Sequence, residues 1–278
     1  VKIDAIVDSD IANSVNTSRL YGAAKALSSQ DELFDDDYVD AIVIATPHKY
    51  HWGQTYKSLA KGKAVFSEKP MLTSYDELDE FKKLIEKNPN LQLCVDFNRS
   101  FAPFIRKIKD HIKDRSTPFV AHYRMNAGFI PKDHWIQTDV GCGRIIGEAC
   151  HIFDLFYHLT DSTPIALSVE TIKPKDDLCS TDNFSAQISF ADGSICTLLY
   201  TALGNKDMGK ERMELFVDGK SIIMDDYKEL AGYGMPKAFN EKVVSQDKGH
   251  AYLINQFFGA IKEKEFSPPI SMQRLYDV

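Results

Sequence analysis

The first hundred residues repeat one pattern: a short apolar run, a polar break, then apolar positions at helical spacing. Residues 1–7 (VKIDAIV) make the first run and close on Asp8; 41–45 (AIVIA), 63–66 (KAVF) and 91–95 (LQLCV) make the next three. The run 41–45 is continuous and bounded by Asp40 and Thr46-Pro47, which predicts a parallel strand covered on both faces. Leu20, Ala23, Ala24 and Leu27 predict a helix over 11–27, and further helices fall over 50–61 and 75–86. Gly62 stops the second of these, and Ser74 with Glu77 forms a capping box for the third. Strand and helix alternate through the first 95 residues, which predicts an α/β unit with a doubly wound parallel sheet.

The pattern changes after Asn98-Arg99. Ile105, Ile108 and Ile112 share one face of a helix over 101–112. Longer alternating segments then predict strands over 119–125, 166–172, 184–190 and 194–201. Ala191-Asp192-Gly193 joins the last two as a hairpin, and Asp218-Gly219 joins 213–217 to 221–224. Helices are expected over 147–159 and 252–262, and loops over 206–210 and 230–248. The division is residues 1–97 as a Rossmann-like unit and 98–278 as a second domain, with an antiparallel or mixed sheet open on one face or packed on a partner.

Composition narrows the functional classes. With 44% hydrophobic and 26% charged residues over 278 positions, the chain has the balance of a globular protein with one large or two sizeable cores. A net charge of −7 leaves no basic footprint for nucleic acid, and the apolar runs are too short to span a bilayer. Five cysteines, an odd set with no Cys-x-x-Cys pair, point to reduced thiols in a cytoplasmic setting and to no metal site.

Candidate chemistry gathers at the ends of the apolar runs. Glu68-Lys69-Pro70 follows 63–66; a charged pair there is either a surface ion pair beside a turn or part of a ligand site. Asp8 has two readings, an acid for the adenosine ribose or a cap for the next helix, with Ser9 beside it. The strand and Gly-x-Gly-x-x-Gly turn that should precede it are not in the sequence, whose first glycine is Gly22. Gly141-Cys142-Gly143 through Gly147 imitates that fingerprint, but it follows no strand and its last spacing is one residue too long. On the helix after it, Glu148, His151 and Asp154 lie on one side. His151 alone is an ordinary structural histidine; beside carboxylates its pKa can move into the range of proton transfer. His48 and His51 suit the polar start of a helix, and His134-Trp135 either contacts a sugar or covers a core edge.

Four blocks occur in order: Ala45-Thr46-Pro47 through His51, Glu68-Lys69-Pro70, Phe97-Asn98-Arg99, and Gly141-x-Gly143 running through His151-Ile152-Phe153-Asp154. Together they resemble the glucose–fructose oxidoreductase and inositol dehydrogenase (Gfo/Idh/MocA) family over nearly the whole chain. The resemblance implies an N-terminal Rossmann domain, a C-terminal domain with a large open-faced sheet, and oxidation or reduction of a sugar, nucleotide sugar or cyclitol with bound NAD(H) or NADP(H). It implies catalytic roles for Lys69 and His151. The cofactor would be lined by Asp8, Ser9, Thr46, Pro47, His51, Glu68 and Lys69, and the substrate by Asn98, His134, Trp135, Arg144 and Asp154. Asp8-Ser9 without an adjacent arginine favours NAD, with NADP the other carrier the family uses. The resemblance also implies a homodimer or homotetramer, and a first strand, glycine loop and last helix that are trimmed, disordered or absent at the ends. Relatives often place an aspartate four residues before the histidine, where this chain has Gly147; Glu148 is the nearest carboxylate. The rival reading is a non-catalytic relative that senses a dinucleotide or sugar.

Overall fold

The computed structural model describes residues 1–173, 179–263 and 265–278. Its first departure from the sequence pattern is set by Gly22. Helix α1 (Ile11–Tyr21) ends there because Gly22 turns left-handed at φ +69° and donates its N–H to the Ser18 carbonyl. The expected helix over 11–27 is therefore cut short, and Leu27 belongs to a strand. Strand β1 (Ala5–Val7) pairs in parallel with β2 (Lys25–Leu27), and the Ser14 and Ser18 hydroxyls fasten α1 to that pair. A short helix α2 (Asp31–Phe34), also unforeseen, leads to β3 (Ala41–Ile44). Helix α3 (His51–Ala60), β4 (Ala64–Ser67), α4 (Tyr75–Lys87) and β5 (Leu93–Val95) complete a second parallel sheet of order β3-β4-β5. Ser74 caps α4 as expected, while the Glu77 carboxylate reaches the Thr73 N–H rather than that of Ser74.

The two parallel sheets are separate. The expectation that 41–45 is covered on both faces fails. Ile42 and Ile44 pack into the core with Phe34, Trp52, Phe81 and Leu93, but Val43 is 57% exposed. Helix α7 (His250–Ala260) covers the opposite face of β4 and β5, setting Leu253 and Phe257 on Phe66 and Cys94.

The second sheet system begins after helix α5 (Pro103–Ile112), whose Ile105, Ile108 and Ile112 are buried together. Its strands are β6 (Val120–Asn126), β7 (Pro164–Thr171), β8 (Phe184–Phe190), β9 (Ile195–Thr201), β10 (Glu211–Val217), β11 (Lys220–Asp225), β12 (Glu229–Tyr233) and β13 (Glu241–Lys242). They run in the order β13-β12-β11-β10-β6-β9-β8-β7, with β6 and β9 parallel and the other neighbours antiparallel. Residues 230–248 are thus not all loop. Strand β12 pairs with β11 where Gly232 passes over Phe239, so closely that a Cβ would lie 2.5 Å from the ring. One face of the sheet packs Tyr123, Met213, Leu198 and Ile222 against α5 and against Ile152, Leu155 and Phe156 of helix α6 (Cys150–Thr160). The other face is open: Phe216, Val120 and Ile195 form an exposed row across β10, β6 and β9.

Two buried ion pairs fix the strand ends of the parallel sheet against this second layer. Arg99, just past β5, grips Glu211 of β10 through Nε (2.8 Å) and Nη2 (3.0 Å), and Tyr123 and Lys248 also donate to that carboxylate. These donors outweigh burial and hold the Glu211 carboxyl down at about 2. Arg274, on the terminal helix α8 (Met272–Asp277), grips Asp154 of α6 through Nε at 2.7 Å, and Ser100 donates to the same carboxylate at 2.8 Å. Ile270 and Leu275 meanwhile pack into the core of the parallel sheet.

Candidate active site

Parallel strands deliver their C-terminal ends to one edge, where ligands of open α/β sheets bind. Here that edge carries Asp8 after β1, Thr46-Pro47 after β3, Glu68-Lys69-Pro70 after β4 and Asp96 through Arg99 after β5. Lys69 crosses from this edge to the layer of the eight-stranded sheet: its Nζ donates to the Gly147 carbonyl at 2.7 Å, within the π-helical turn Ile145–Ala149 that opens α6. The opening alternative for Glu68-Lys69-Pro70, a surface ion pair, is not what forms. Lys69 is half-buried with its ammonium on a backbone oxygen; the Lys69–Pro70 peptide is cis.

His151 lies one turn beyond Gly147. It is buried against the edge of Phe97 (6.2 Å between ring centres), and its Nδ1 has no partner. Burial, then the nearby Arg99 and Lys69 charges, push its pKa well below the ordinary histidine value, so the imidazole is neutral. A neutral ring beside a lysine ammonium is an acceptor next to a donor, the pairing that proton transfer needs.

Gly147 is explained by its surroundings. A Cβ there would stand 2.8 Å from His48 Cε1 and 3.1 Å from Ile136 Cδ1. His48 fills the space that an aspartate side chain would take. Its Nδ1 donates to the Gly141 carbonyl at 2.8 Å, its ring stands edge-on to Trp135 at 5.0 Å, and burial lowers its pKa. Gly141 is itself obligatory, since a Cβ would fall 2.3 Å from Ile136 Cα. The turn that imitates a nucleotide fingerprint is therefore a packing device that seats α6 on the loop after β3.

Glu148 does not stand in for the missing aspartate. It accepts from Tyr200 and Arg144 (3.3 Å), and although burial works to raise it, Lys210 and these two donors keep it ionised. The carboxyls beside Lys69 come from the parallel sheet instead. Asp96 is buried next to Glu68; burial and the Glu68 charge push it up to about 7, against the pull of Lys69. His250, first residue of α7, brings Nε2 to 3.9 Å from the Asp96 carboxylate. Neither residue was foreseen. Asp96 carries the signal that singled out Asp8, a carboxylate closing an apolar strand; His250 carries none.

Three residues expected at the substrate are withdrawn into the frame. Asp154 is fully buried with both carboxylate oxygens on Arg274, the second shared with Ser100. Arg144 is spent on the Ala127 and Gly128 carbonyls and on Glu148. Asn98 is buried and donates to the Lys248 carbonyl at 2.7 Å. His134 stays exposed and accepts from the Ile136 N–H, and Trp135, 46% exposed, covers His48. His51, expected along the cofactor, is buried beneath it with its ring nitrogens on the Thr46 and Pro70 carbonyls, which ties the loops after β3 and β4 together.

A nicotinamide dinucleotide fits what remains on the edge. Asp8 is half-buried, and with Oδ1 accepting from the Asp10 N–H at 2.8 Å its other oxygen can meet a ribose hydroxyl. Ser9, Thr46 and Pro47 are exposed, and Glu68 is half-buried beside Lys69. The described residues bring no glycine turn to this edge for the pyrophosphate. No group of three or more His, Cys, Asp or Glu among them is placed to hold a metal ion.

Residues 1–97 match the oxidoreductase family with an NAD-binding Rossmann fold named for Gfo, Idh and MocA. That match covers the parallel-sheet part of the chain. An uncharacterized oxidoreductase of Bacillus subtilis, YrbE, is 24% identical to it over 276 residues, 95% of this chain and 77% of the relative. The fold is that of an oxidoreductase domain protein from Kribbella flavida (TM-score 0.84, 17% identity, 99% of this chain and 84% of the other). It is also that of myo-inositol dehydrogenase from Lactobacillus casei, solved with NAD(H) and myo-inositol (TM-score 0.77, 16% identity, 99% and 83%). No described helix is long and apolar enough to cross a membrane.

Two expectations follow for this protein. Gly147→Ala should lower stability by roughly 1–3 kcal/mol through the clash with His48, and adding His48→Ala should recover part of the loss; thermal unfolding of both variants reads this. Asp96 should leave a mark on the pH profile. Its folded pKa of about 7 lies above the unfolded carboxyl value, so the stability it contributes is complete at acid pH and lost as pH rises through about 7. Between pH 4 and 7 that loss approaches about 1.4 kcal/mol per pH unit, and Asp96→Asn should flatten it in a comparison of urea midpoints.

Proposed function

We propose that this oxidoreductase transfers a hydride between a nicotinamide dinucleotide, NAD by preference, and a carbinol carbon of a sugar, nucleotide sugar or cyclitol. The observation that carries the reading is the meeting of Lys69 and His151. One comes from the ligand-binding edge of a parallel sheet and the other from a helix of the second domain, and the Lys69–Gly147 hydrogen bond brings them to one cleft. The dinucleotide, when bound along that edge, supplies the carbon that takes or returns the hydride.

The residues do the rest. One Lys69 proton is committed to the Gly147 carbonyl, and the other two are available to the carbinol oxygen, orienting it and stabilising negative charge as it develops. His151, neutral at pH 7, takes the hydroxyl proton in oxidation and returns it in reduction. Burial under Phe97 and the walls of α6 keeps water from competing for these groups. Asp8, without an arginine beside it, would oppose a 2′-phosphate, which supports NAD over NADP. A second copy of the chain suits the open sheet face, where Phe216, Val120 and Ile195 lie exposed in a row.

Lys69→Ala should cut turnover roughly 100-fold or more while NAD affinity changes little, because the ammonium acts on the alcohol and not on the dinucleotide. Steady-state assays of NAD reduction over a panel of sugars and cyclitols, paired with NAD titrations, check this. Turnover at the wild-type level in the variant would remove Lys69 from the mechanism.

A further inference from the structure

Beside the Lys69–His151 cleft lies a cavity of about 580 Å³ between the end of β6 and the loop before β10. Four lysines line it, Lys206, Lys210, Lys228 and Lys248, against two aspartates, Asp207 and Asp226. The chain as a whole carries −7, so this concentration of positive charge runs against the background. Two of the lysines are committed: Lys248 to Glu211 at 2.6 Å and Lys228 to Asp226 at 3.5 Å. The other two are not. Lys210 has only a 4.0 Å approach to Glu148, and Lys206 makes no ion pair among the described residues.

The wall beside these lysines is rigid. Asn126 is buried, and its amide nitrogen is fixed by the Asn205 and Met208 carbonyls, so its orientation is set. Its Oδ1 has no partner, and the wall beside it is Gly204, where any Cβ would collide with that oxygen at 2.0 Å. That oxygen is closed off from the cavity by the Gly204 backbone, so the asparagine sets the shape of the wall while the lysines supply its charge.

The cavity is joined to the reaction site. Asn98, at the strand end that holds Asp96, donates to the Lys248 carbonyl, and the Lys210 charge reaches both Glu148 and His151 on α6. A molecule with its carbinol at Lys69 can therefore extend into the lysines. We propose that this cavity receives an anionic group of the substrate, a phosphate or a carboxylate, with Lys206 and Lys210 as its counter-charges. Its volume suits such a group together with part of the polyol that bears it. The inference rests on the dehydrogenase reading for the position of the carbinol, but the charge of the cavity is independent of it.

The test compares a hexose, its 6-phosphate and its hexuronate as substrates for NAD reduction by the wild type and by a Lys206→Ala/Lys210→Ala variant. The expected result is a kcat/KM at least tenfold higher for one anionic member than for the neutral hexose, and a collapse of that ratio in the variant. Which anion wins separates phosphate from carboxylate. A neutral hexose turned over as well as both anions, or a ratio untouched by the variant, would overturn the cavity's role and leave the dehydrogenase reading standing. Were none of the three turned over, calorimetric titration of the NAD-loaded protein with inorganic phosphate would decide the cavity alone. Binding that weakens tenfold or more in the variant supports it, and equal or absent binding in both proteins refutes it.

Discussion

The site depends on one constraint, that the Lys69 ammonium must cross from the end of a parallel strand to a backbone carbonyl in the second layer. Its 2.7 Å hydrogen bond to Gly147 orients the half-buried lysine. A free lysine on a four-carbon stem would spread over many rotamers and lose most of its value as a positioned donor. Position 147 has to be glycine for this arrangement, because His48 stands where its side chain would be. The histidine in turn is held by Gly141 and covered by Trp135. A chain of local contacts thus fixes where one carbonyl oxygen sits.

That precision needs rigid walls, and buried ion pairs supply them. Arg99–Glu211 and Asp154–Arg274 are nearly dry pairs in which each carboxylate receives several donors, so desolvation is met by hydrogen bonds from every side. Both join segments far apart in the chain, and both sit within a few residues of the reacting groups. Removing one partner of either would strand a charge in the core, which makes these pairs devices of specificity as much as of stability. Asp96 is the exception: a buried carboxyl without a full set of donors, driven toward its neutral form beside Glu68. It is the part of the site least satisfied by the protein alone.

Much of this was legible in the sequence, for identifiable reasons. Lys69 stood out because a charge closing an apolar strand is costly unless it is used, and His151 because its helix carried carboxylates at one-turn spacing. The strands of the large sheet were readable wherever alternation was regular, and β12 escaped because Gly232 interrupts it. The departures from the expected placement share a cause. Asp154, Arg144 and Asn98 are polar residues near the site, and local pattern cannot say whether a polar group faces a ligand or a partner 120 residues away, as Asp154 faces Arg274. Periodicity likewise carried α1 through Gly22, where one left-handed residue ended it. Asp96 was missed although the rule that selected Asp8 applies to it equally. Val43 reads as buried only if a strand and helix lie beside it, and sequence windows do not contain neighbours.

The most direct measurement of the central claim is a crystal structure of the protein with NADH and a polyol that it turns over. The account predicts the carbinol oxygen within hydrogen-bond distance of both Lys69 Nζ and a His151 ring nitrogen, with Lys69 still on the Gly147 carbonyl. A polyol bound with its reacting carbon away from these two side chains, against His48 or Glu148 instead, would contradict it.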